Sequence, residues 1–172
     1  MRRTIAIVFL LAALVPAAAE AQPRFMVAGG FTAPTGTLSD AADAGYHGQV
    51  GLFVSIPTIP LGLRGDGFFH RLGSSQTGLE DTQVLGGTLS VVYNLPGIGL
   101  VPYFLAGLGA YQIEAGPVGA TVKANDNGYH GGFGVNIGGA GTGVGAFAEI
   151  RYIKIGGDSD STLIPLTFGL RL

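Results

Sequence analysis

Five charged residues stand at spacings that would bring them together inside a sheet structure. Arg64 and Asp66 are two positions apart, and so are Glu149 and Arg151, so in extended strands the two members of each pair point to the same face. Arg171 occupies a polar position in a third segment of the same kind. Guanidinium and carboxylate groups gathered in a narrow interior would form either a structural network of buried ion pairs or a gated path for protons or ions. We expect the structural network.

Other residue types that could perform chemistry show no such grouping. His47, His70 and His130 fall in three different segments without the H-x-x-x-H spacing of a metal site, so we expect hydrogen-bonded histidines and no metal ligands. The absence of cysteine excludes thiolate metal sites and cysteine nucleophiles. Neither glycine-rich phosphate-binding motif, G-x-G-x-x-G or G-x-x-x-x-G-K-[ST], occurs in the chain. The sequence therefore predicts no catalytic residue, no cofactor and no metal site.

The composition restricts the surroundings in which the chain can fold. Charged residues make up 12% of the chain and hydrophobic residues 47%, with a mean hydropathy of +0.45. So few charges cannot cover the surface of an ordinary soluble domain, and high hydrophobicity with a low net charge excludes disorder. The basic residues are spread thinly along the chain, so we expect no nucleic-acid partner.

Hydrophobic alternation with a period of two predicts strands. The long uncharged stretch between Asp81 and Glu114 is interrupted by prolines and glycines, which break helices. Runs of about ten residues instead alternate apolar with small or polar side chains between turn-forming residues. Eight such runs are predicted, at residues 24–33, 46–56, 61–70, 82–94, 102–112, 129–138, 144–154 and 162–172.

The connections between the runs alternate in character. Polar segments that hold most of the acidic residues follow the odd-numbered runs, at 34–45, 71–81, 113–128 and 155–161. Shorter links without charge follow the second, fourth and sixth runs, at 57–60, 95–101 and 139–143. Long loops at one end and short turns at the other are typical of outer-membrane barrels. The sequence thus predicts an all-β, eight-stranded antiparallel up-and-down transmembrane barrel.

Each run has an apolar face and a more polar face. A soluble barrel would turn the apolar face inward, whereas a membrane barrel turns it toward lipid. One or two charged groups per strand are too few for a face in contact with water, so we assign the polar face to the lumen. The residues expected to face lipid include Leu52, Leu89, Ile150 and Phe168. The lumen is expected to be plugged by the charged network together with Phe53, Phe68 and Phe147.

The N-terminus has the three regions of a secretory signal peptide. A cationic start, Met1-Arg2-Arg3, precedes the apolar run 4–19, and Ala19-Glu20-Ala21 forms an A-x-A cleavage site. A transmembrane anchor would need a longer apolar run. We expect cleavage before Gln22, which divides the chain into a signal peptide at 1–21 and a barrel domain at 22–172, and export through the inner membrane.

Three segments carry a resemblance to a known family. These are the proline-tyrosine opening of a glycine-rich strand at Val101–Tyr111, the segment Phe147–Tyr152, and the C-terminal segment Leu166–Leu172. Through them the chain resembles the small bacterial outer-membrane β-barrels of the eight-stranded type, which includes OmpX-like, opacity-protein-like and OmpA-transmembrane-like proteins. The resemblance implies a place in the cell outer membrane, contact with its lipid and lipopolysaccharide, and recognition of Leu166–Leu172 by the barrel-assembly machinery.

These observations predict a barrel that is not an enzyme. We expect a structural or surface-interaction role, with a plugged lumen and four polar loops presented to the exterior, although the sequence identifies no partner for the loops. A narrow porin-like channel for small solutes or ions is the alternative. A lipid-modifying enzyme is a third reading, but the predicted lipid-facing positions carry no serine, histidine and acid set.

Overall fold

The computed structural model describes residues 23–36, 39, 42–74, 80–117, 120–138, 144–156 and 161–172. Its strands are β1 Pro23–Gly36, β2 Ala42–Ser55, β3 Leu61–Ser74, β4 Thr82–Asn94, β5 Leu100–Ala115, β6 Val122–Ile137, β7 Gly145–Ile155 and β8 Ser161–Arg171. Each strand pairs antiparallel with the next, and β8 pairs with β1 to close the barrel. The predicted fold class is therefore confirmed.

The predicted signal peptide at 1–21 lies outside the described residues and stays a prediction. The predicted link at 139–143 lies outside them as well. The part of the chain that is described contains no helix long and apolar enough to cross a membrane.

Four of the polar connections are shorter than the sequence predicted, which corrects the limits given above for 34–45, 71–81, 113–128 and 155–161. The strands continue into these segments; on β5 and β6, for example, Glu114 still pairs with Lys123 and Gln112 with Asn125. Polar residues on both faces of a strand leave no period of two to detect, although the backbone ladder forms all the same. The connections are consequently short at both ends of the barrel. The two ends differ because the strands continue as polar segments at one end only.

We call the end with these extensions, where β1 joins β2 and β3 joins β4, the loop end. The opposite end, where β2 joins β3 and both termini of the described barrel lie, is the turn end. The outward apolar band on β5 extends from Leu100 to Ala110, and the next outward residues are Gln112 and Glu114. A band of this length matches the roughly 9–11 residues that a tilted strand needs to cross a bilayer.

The outward face carries large apolar side chains, and the buried polar and charged side chains point inward, an arrangement opposite to that of a soluble barrel. Leu52, Leu89, Ile150 and Phe168 are all exposed on the outside, with Leu89 at 74%. Large apolar side chains exposed over the whole outer surface require a lipid environment. The assignment of these four residues to the lipid-facing side is thus supported by the structure.

Two apolar layers fill the lumen near its ends. The turn-end layer consists of Met26, Phe53, Val92, Tyr103, Leu105 and Phe147. The loop-end layer consists of Ala42, Phe68, Leu72, Val84, Tyr111, Ile153, Ile155 and Leu163. The buried polar and charged side chains lie for the most part between these layers along the strands.

Inward-facing glycines make room for the large side chains of the lumen. A Cβ atom on Gly134 would overlap the ring of Tyr103, and one on Gly51 would overlap the carboxylate of Asp66. By contrast, nothing lies within 4 Å of a Cβ atom built on the outward-facing Gly48. Close approach across a narrow interior is therefore one use of the high glycine content.

Candidate functional site

A closed ring of ion pairs crosses the middle of the lumen. Arg64 donates from Nε to Asp66 Oδ1 at 2.9 Å and from Nη1 to Glu149 Oε2 at 2.7 Å. Arg151 donates from Nη2 to Asp66 Oδ2 at 2.9 Å and from Nε to Glu149 Oε1. Each guanidinium therefore bonds both carboxylates. We call these four residues the charge quartet.

The position of the quartet follows from the strand geometry. Arg64 and Asp66 are two apart on β3, and Glu149 and Arg151 are two apart on β7, so both pairs point inward from opposite walls of an eight-stranded barrel. All four side chains are almost completely buried. A charged group that is buried in this way is tolerated only when it is paired and hydrogen-bonded.

Neighbouring side chains complete the hydrogen bonding of the carboxylates. The Tyr103 hydroxyl donates to Glu149 Oε2 at 2.6 Å, and the Gln49 amide donates to Asp66 Oδ1 at 3.2 Å. Every carboxylate oxygen of the quartet thus accepts at least one hydrogen bond. Carboxylates held in this way are well suited to cross-link the barrel walls. They are poorly suited to relay protons or to bind an ion that passes through the lumen.

The fifth charged residue of the expected network, Arg171, stands apart from the quartet. It lies at the turn end of β8, where it pairs with Met26 of β1 and Gly145 of β7. Its buried Nε has no hydrogen-bond partner among the described residues. The structure therefore joins four of the five expected residues and leaves Arg171 outside their ring.

Two of the three histidines meet in the lumen, which the sequence did not indicate. Thr32 Oγ1 lies 2.9 Å from His47 Nδ1 and 2.8 Å from His70 Nδ1, and His47 Nε2 lies 2.9 Å from Thr167 Oγ1. The hydroxyl of Thr32 has a single proton, so at least one of these Nδ1 atoms must carry a hydrogen. Among the described residues, no three potential metal ligands converge. Alternation along β1 and β8 could have indicated that Thr32 and Thr167 face inward. The registers of these strands, which the sequence does not give, bring both threonines to the histidines.

The third histidine forms a separate pair. His130 Nε2 lies 2.8 Å from Ser90 Oγ, and both residues are buried inside the barrel. His130 Nδ1 has no hydrogen-bond partner in the described ranges of the chain. A catalytic triad would need an acid at that nitrogen and access for a substrate, and this pair has neither within the described structure.

Paired polar side chains lie at the loop end on the β3–β6 side of the barrel. Arg71 Nε donates to Asp81 Oδ2 at 2.9 Å. Lys123 Nζ donates to Glu114 Oε2 at 3.0 Å, a hydrogen bond that lowers the pKa of Glu114. Nearby, the Gln112 amide bonds Asn125 at 3.1 Å and helps to line an open cleft of about 550 Å³. We call these six residues the polar rim.

The comparisons agree with this geometry. The family described as outer membrane protein beta-barrel domain matches residues 4–171. The chain belongs to this family. It is thus an outer-membrane β-barrel protein, in keeping with its outward apolar band. A comparison with curated proteins finds no match.

Solved structures with the same fold include proteins of different kinds. Neisserial surface protein A matches with a TM-score of 0.70 and 17% identity, over 88% of this chain and 97% of its own. Ail, the attachment invasion locus protein of Yersinia pestis, gives a TM-score of 0.57 and 13% identity, over 87% and 97%. The outer membrane enzyme PagL gives a TM-score of 0.50 and 13% identity, over 88% and 99%. At these identities the likeness concerns the fold alone.

Proposed function

We propose that this protein is a plugged outer-membrane barrel with a structural or surface-interaction role, which it performs through the polar rim. The observation that carries the proposal is the filling of the lumen. The charge quartet spans the centre, and an apolar layer stands on either side of it. An interior occupied in this way leaves the outer end as the part of the protein available to partners.

The alternative, a narrow channel, finds less support in the contacts of the lumen. Leu72, Val84, Ile155 and Leu163 of the loop-end layer have no exposed surface. An ion on a path through the barrel would have to displace them and then break the hydrogen bonds of the quartet. Such a passage would require a large rearrangement of the interior.

The loop end has the features of a contact surface. It carries charges of both signs, and the ion pairs Arg71–Asp81 and Lys123–Glu114 lie beyond the apolar band. Two proteins that share the fold are named as a surface protein and as an attachment invasion protein. These names support a role at the cell surface for this chain as well.

An enzymatic role is the weaker proposal, although PagL shows that this fold can carry an enzyme. A lipid-modifying enzyme would need its reacting groups where a lipid can reach them. The Ser90–His130 contact faces the lumen, and both side chains are buried. We therefore propose that the protein is not an enzyme.

The partners follow from the outer surface. We propose that outer-membrane lipid and lipopolysaccharide contact the apolar band, and that the barrel-assembly machinery recognises Leu166–Leu172. In the last part of β8, Leu166, Phe168 and Leu170 alternate outward and are exposed. An apolar strand face of this kind is suited to partners within a membrane.

The proposal is tested in a bacterial deletion strain that is complemented with three forms of the gene. These are the wild type, a rim form with Arg71→Ala and Lys123→Ala, and a lipid-side form with Leu100→Val as a matched control. Surface adhesion, detergent resistance and uptake of hydrophilic solutes are measured at equal amounts of folded barrel. We expect the deletion strain and the rim form to differ from the wild type in surface adhesion or detergent resistance. Uptake of hydrophilic solutes should be unchanged in both. Loss of solute uptake in the deletion, restored equally by all three forms, would favour the channel.

A further inference from the structure

A small cavity lies in the lumen on the turn-end side of the charge quartet. The volume open to a water molecule is about 10 Å³, which is about the minimum for one small molecule or ion. Arg64 and Arg171 line it together with the amides of Asn94 and Asn136. The cavity therefore combines a small volume with two guanidinium groups and two side-chain amides that can donate hydrogen bonds.

Each of the two arginines that line this cavity has a guanidinium nitrogen without an acceptor among the described residues. Arg64 uses Nε and Nη1 on the carboxylates of the quartet, but its buried Nη2 has no hydrogen-bond partner within the part of the chain that the structure describes. The same holds for the buried Nε of Arg171. Charged donors left in this state are strongly unfavourable, so the site calls for an acceptor that reaches both nitrogens.

The local charge is positive. The quartet contains two guanidiniums and two carboxylates and is neutral, whereas Arg171 forms no ion pair within the described residues. No aspartate or glutamate in the described part of the chain lines the cavity.

We propose that this cavity binds one small monovalent anion of the size of chloride, held between Nη2 of Arg64 and Nε of Arg171. A water molecule would fill the volume, but it would leave the charge of Arg171 unbalanced. An anion accepts from both nitrogens and neutralises that charge at the same time. The small volume favours a monatomic anion over phosphate, sulfate or an organic carboxylate. The bound anion would also extend the plug of the lumen toward the turn end.

The first test is the stability of the folded full barrel in detergent micelles, measured by urea unfolding in sodium chloride and in sodium gluconate at equal ionic strength. Gluconate is too large for the cavity. We expect chloride to lower the unfolding equilibrium constant in a saturable way, roughly tenfold at about ten times its dissociation constant. Arg171→Gln should abolish the difference between the two salts, and Arg71→Gln, on the exposed rim, should retain it.

The second test is crystallography of the wild type in sodium bromide. We expect an anomalous peak between Arg64 Nη2 and Arg171 Nε. Equal stability of the wild type in chloride and gluconate, or a site that holds only water in the bromide crystals, would overturn the proposal. Both measurements on the wild type remain decisive if Arg171→Gln fails to fold.

Discussion

Arg64 on β3 and Glu149 on β7 meet across the lumen, with Nη1 of the arginine 2.7 Å from Oε2 of the glutamate. The contact joins residues from opposite walls of the barrel, and Tyr103 donates to the same carboxylate oxygen. A hydrogen-bonded ion pair at this position connects strands that share no backbone ladder. We therefore regard the quartet as a cross-link of the barrel. Its removal should lower the free energy of unfolding.

Glu149→Gln should destabilise the barrel. The change removes one negative charge and leaves the buried guanidiniums of Arg64 and Arg151 to share the single carboxylate of Asp66. One buried positive charge is then uncompensated, which costs about 3–5 kcal/mol in comparable sites. The effect is the difference in the free energy of unfolding between the variant and the wild type, measured by urea unfolding from lipid vesicles. Asp81→Asn breaks the exposed pair with Arg71 and serves as the control, with little change expected. Equal effects of the two substitutions would contradict a cross-linking role for the quartet.

Gly134→Ala should also destabilise the barrel, for a steric reason. The added methyl group would overlap the ring of Tyr103, and overpacking of this kind costs about 1–3 kcal/mol. Gly48→Ala is the matched control, because its methyl group would meet nothing within 4 Å. The same unfolding measurement applies to both. Equal stability of Gly134→Ala and Gly48→Ala would contradict the close packing of the Tyr103 ring against Gly134.

Leu89→Arg tests the lipid-facing assignment. Leu89 lies within the outward apolar band and is 74% exposed, and an arginine near the bilayer midplane costs about 2–4 kcal/mol. Folding into lipid vesicles, followed by the shift of the folded band in electrophoresis, measures the loss. Ile98→Arg is the control, because Ile98 is fully exposed in the β4–β5 turn. Unchanged folding of Leu89→Arg would show that this face of β4 does not contact lipid.

Lys123→Ala should raise the pKa of Glu114 toward its ordinary value. In the wild type, the hydrogen bond from Lys123 lowers the pKa of Glu114. A lowered pKa in the folded state means that the pair stabilises the protein above the unfolded pKa, and that this stabilisation is lost as the pH falls through the folded pKa. The titration of Glu114 by nuclear magnetic resonance in both proteins measures the difference. An unchanged pKa would mean that Lys123 and Glu114 are not paired in solution.

Much of the fold could be predicted because the apolar period of two is strong within the lipid band. The two-residue spacing in β3 and β7 was enough to place Arg64 and Asp66 opposite Glu149 and Arg151. The strand extensions could not be predicted, because Asn125–Gly128 has the composition of a turn and no apolar face. These residues nevertheless pair with Gly109–Gln112 of β5.

The position of a side chain along the barrel axis was harder to predict than whether it points inward or outward. Arg171 shares the inward face with the quartet, but its height depends on the tilt and stagger of β8, which no local pattern encodes. The contact of Thr32 with His47 and His70 has the same origin, since it requires the registers of β1, β2 and β3 together. Alternation therefore determines the facing of a side chain, and the stagger of the strands determines which inward side chains meet.

The central claim is that the lumen is closed, and single-channel recording in planar bilayers tests it most directly. The purified protein, shown to be monomeric, is inserted at a defined potential and its current is followed, with a known porin as the positive control. The quartet and the two apolar layers predict no openings, or only small and irregular ones, since an eight-stranded interior is filled by its own side chains whereas water-filled channels appear at about 16–18 strands. Stable, large and uniform conductance steps from the monomer would contradict the account and establish the channel.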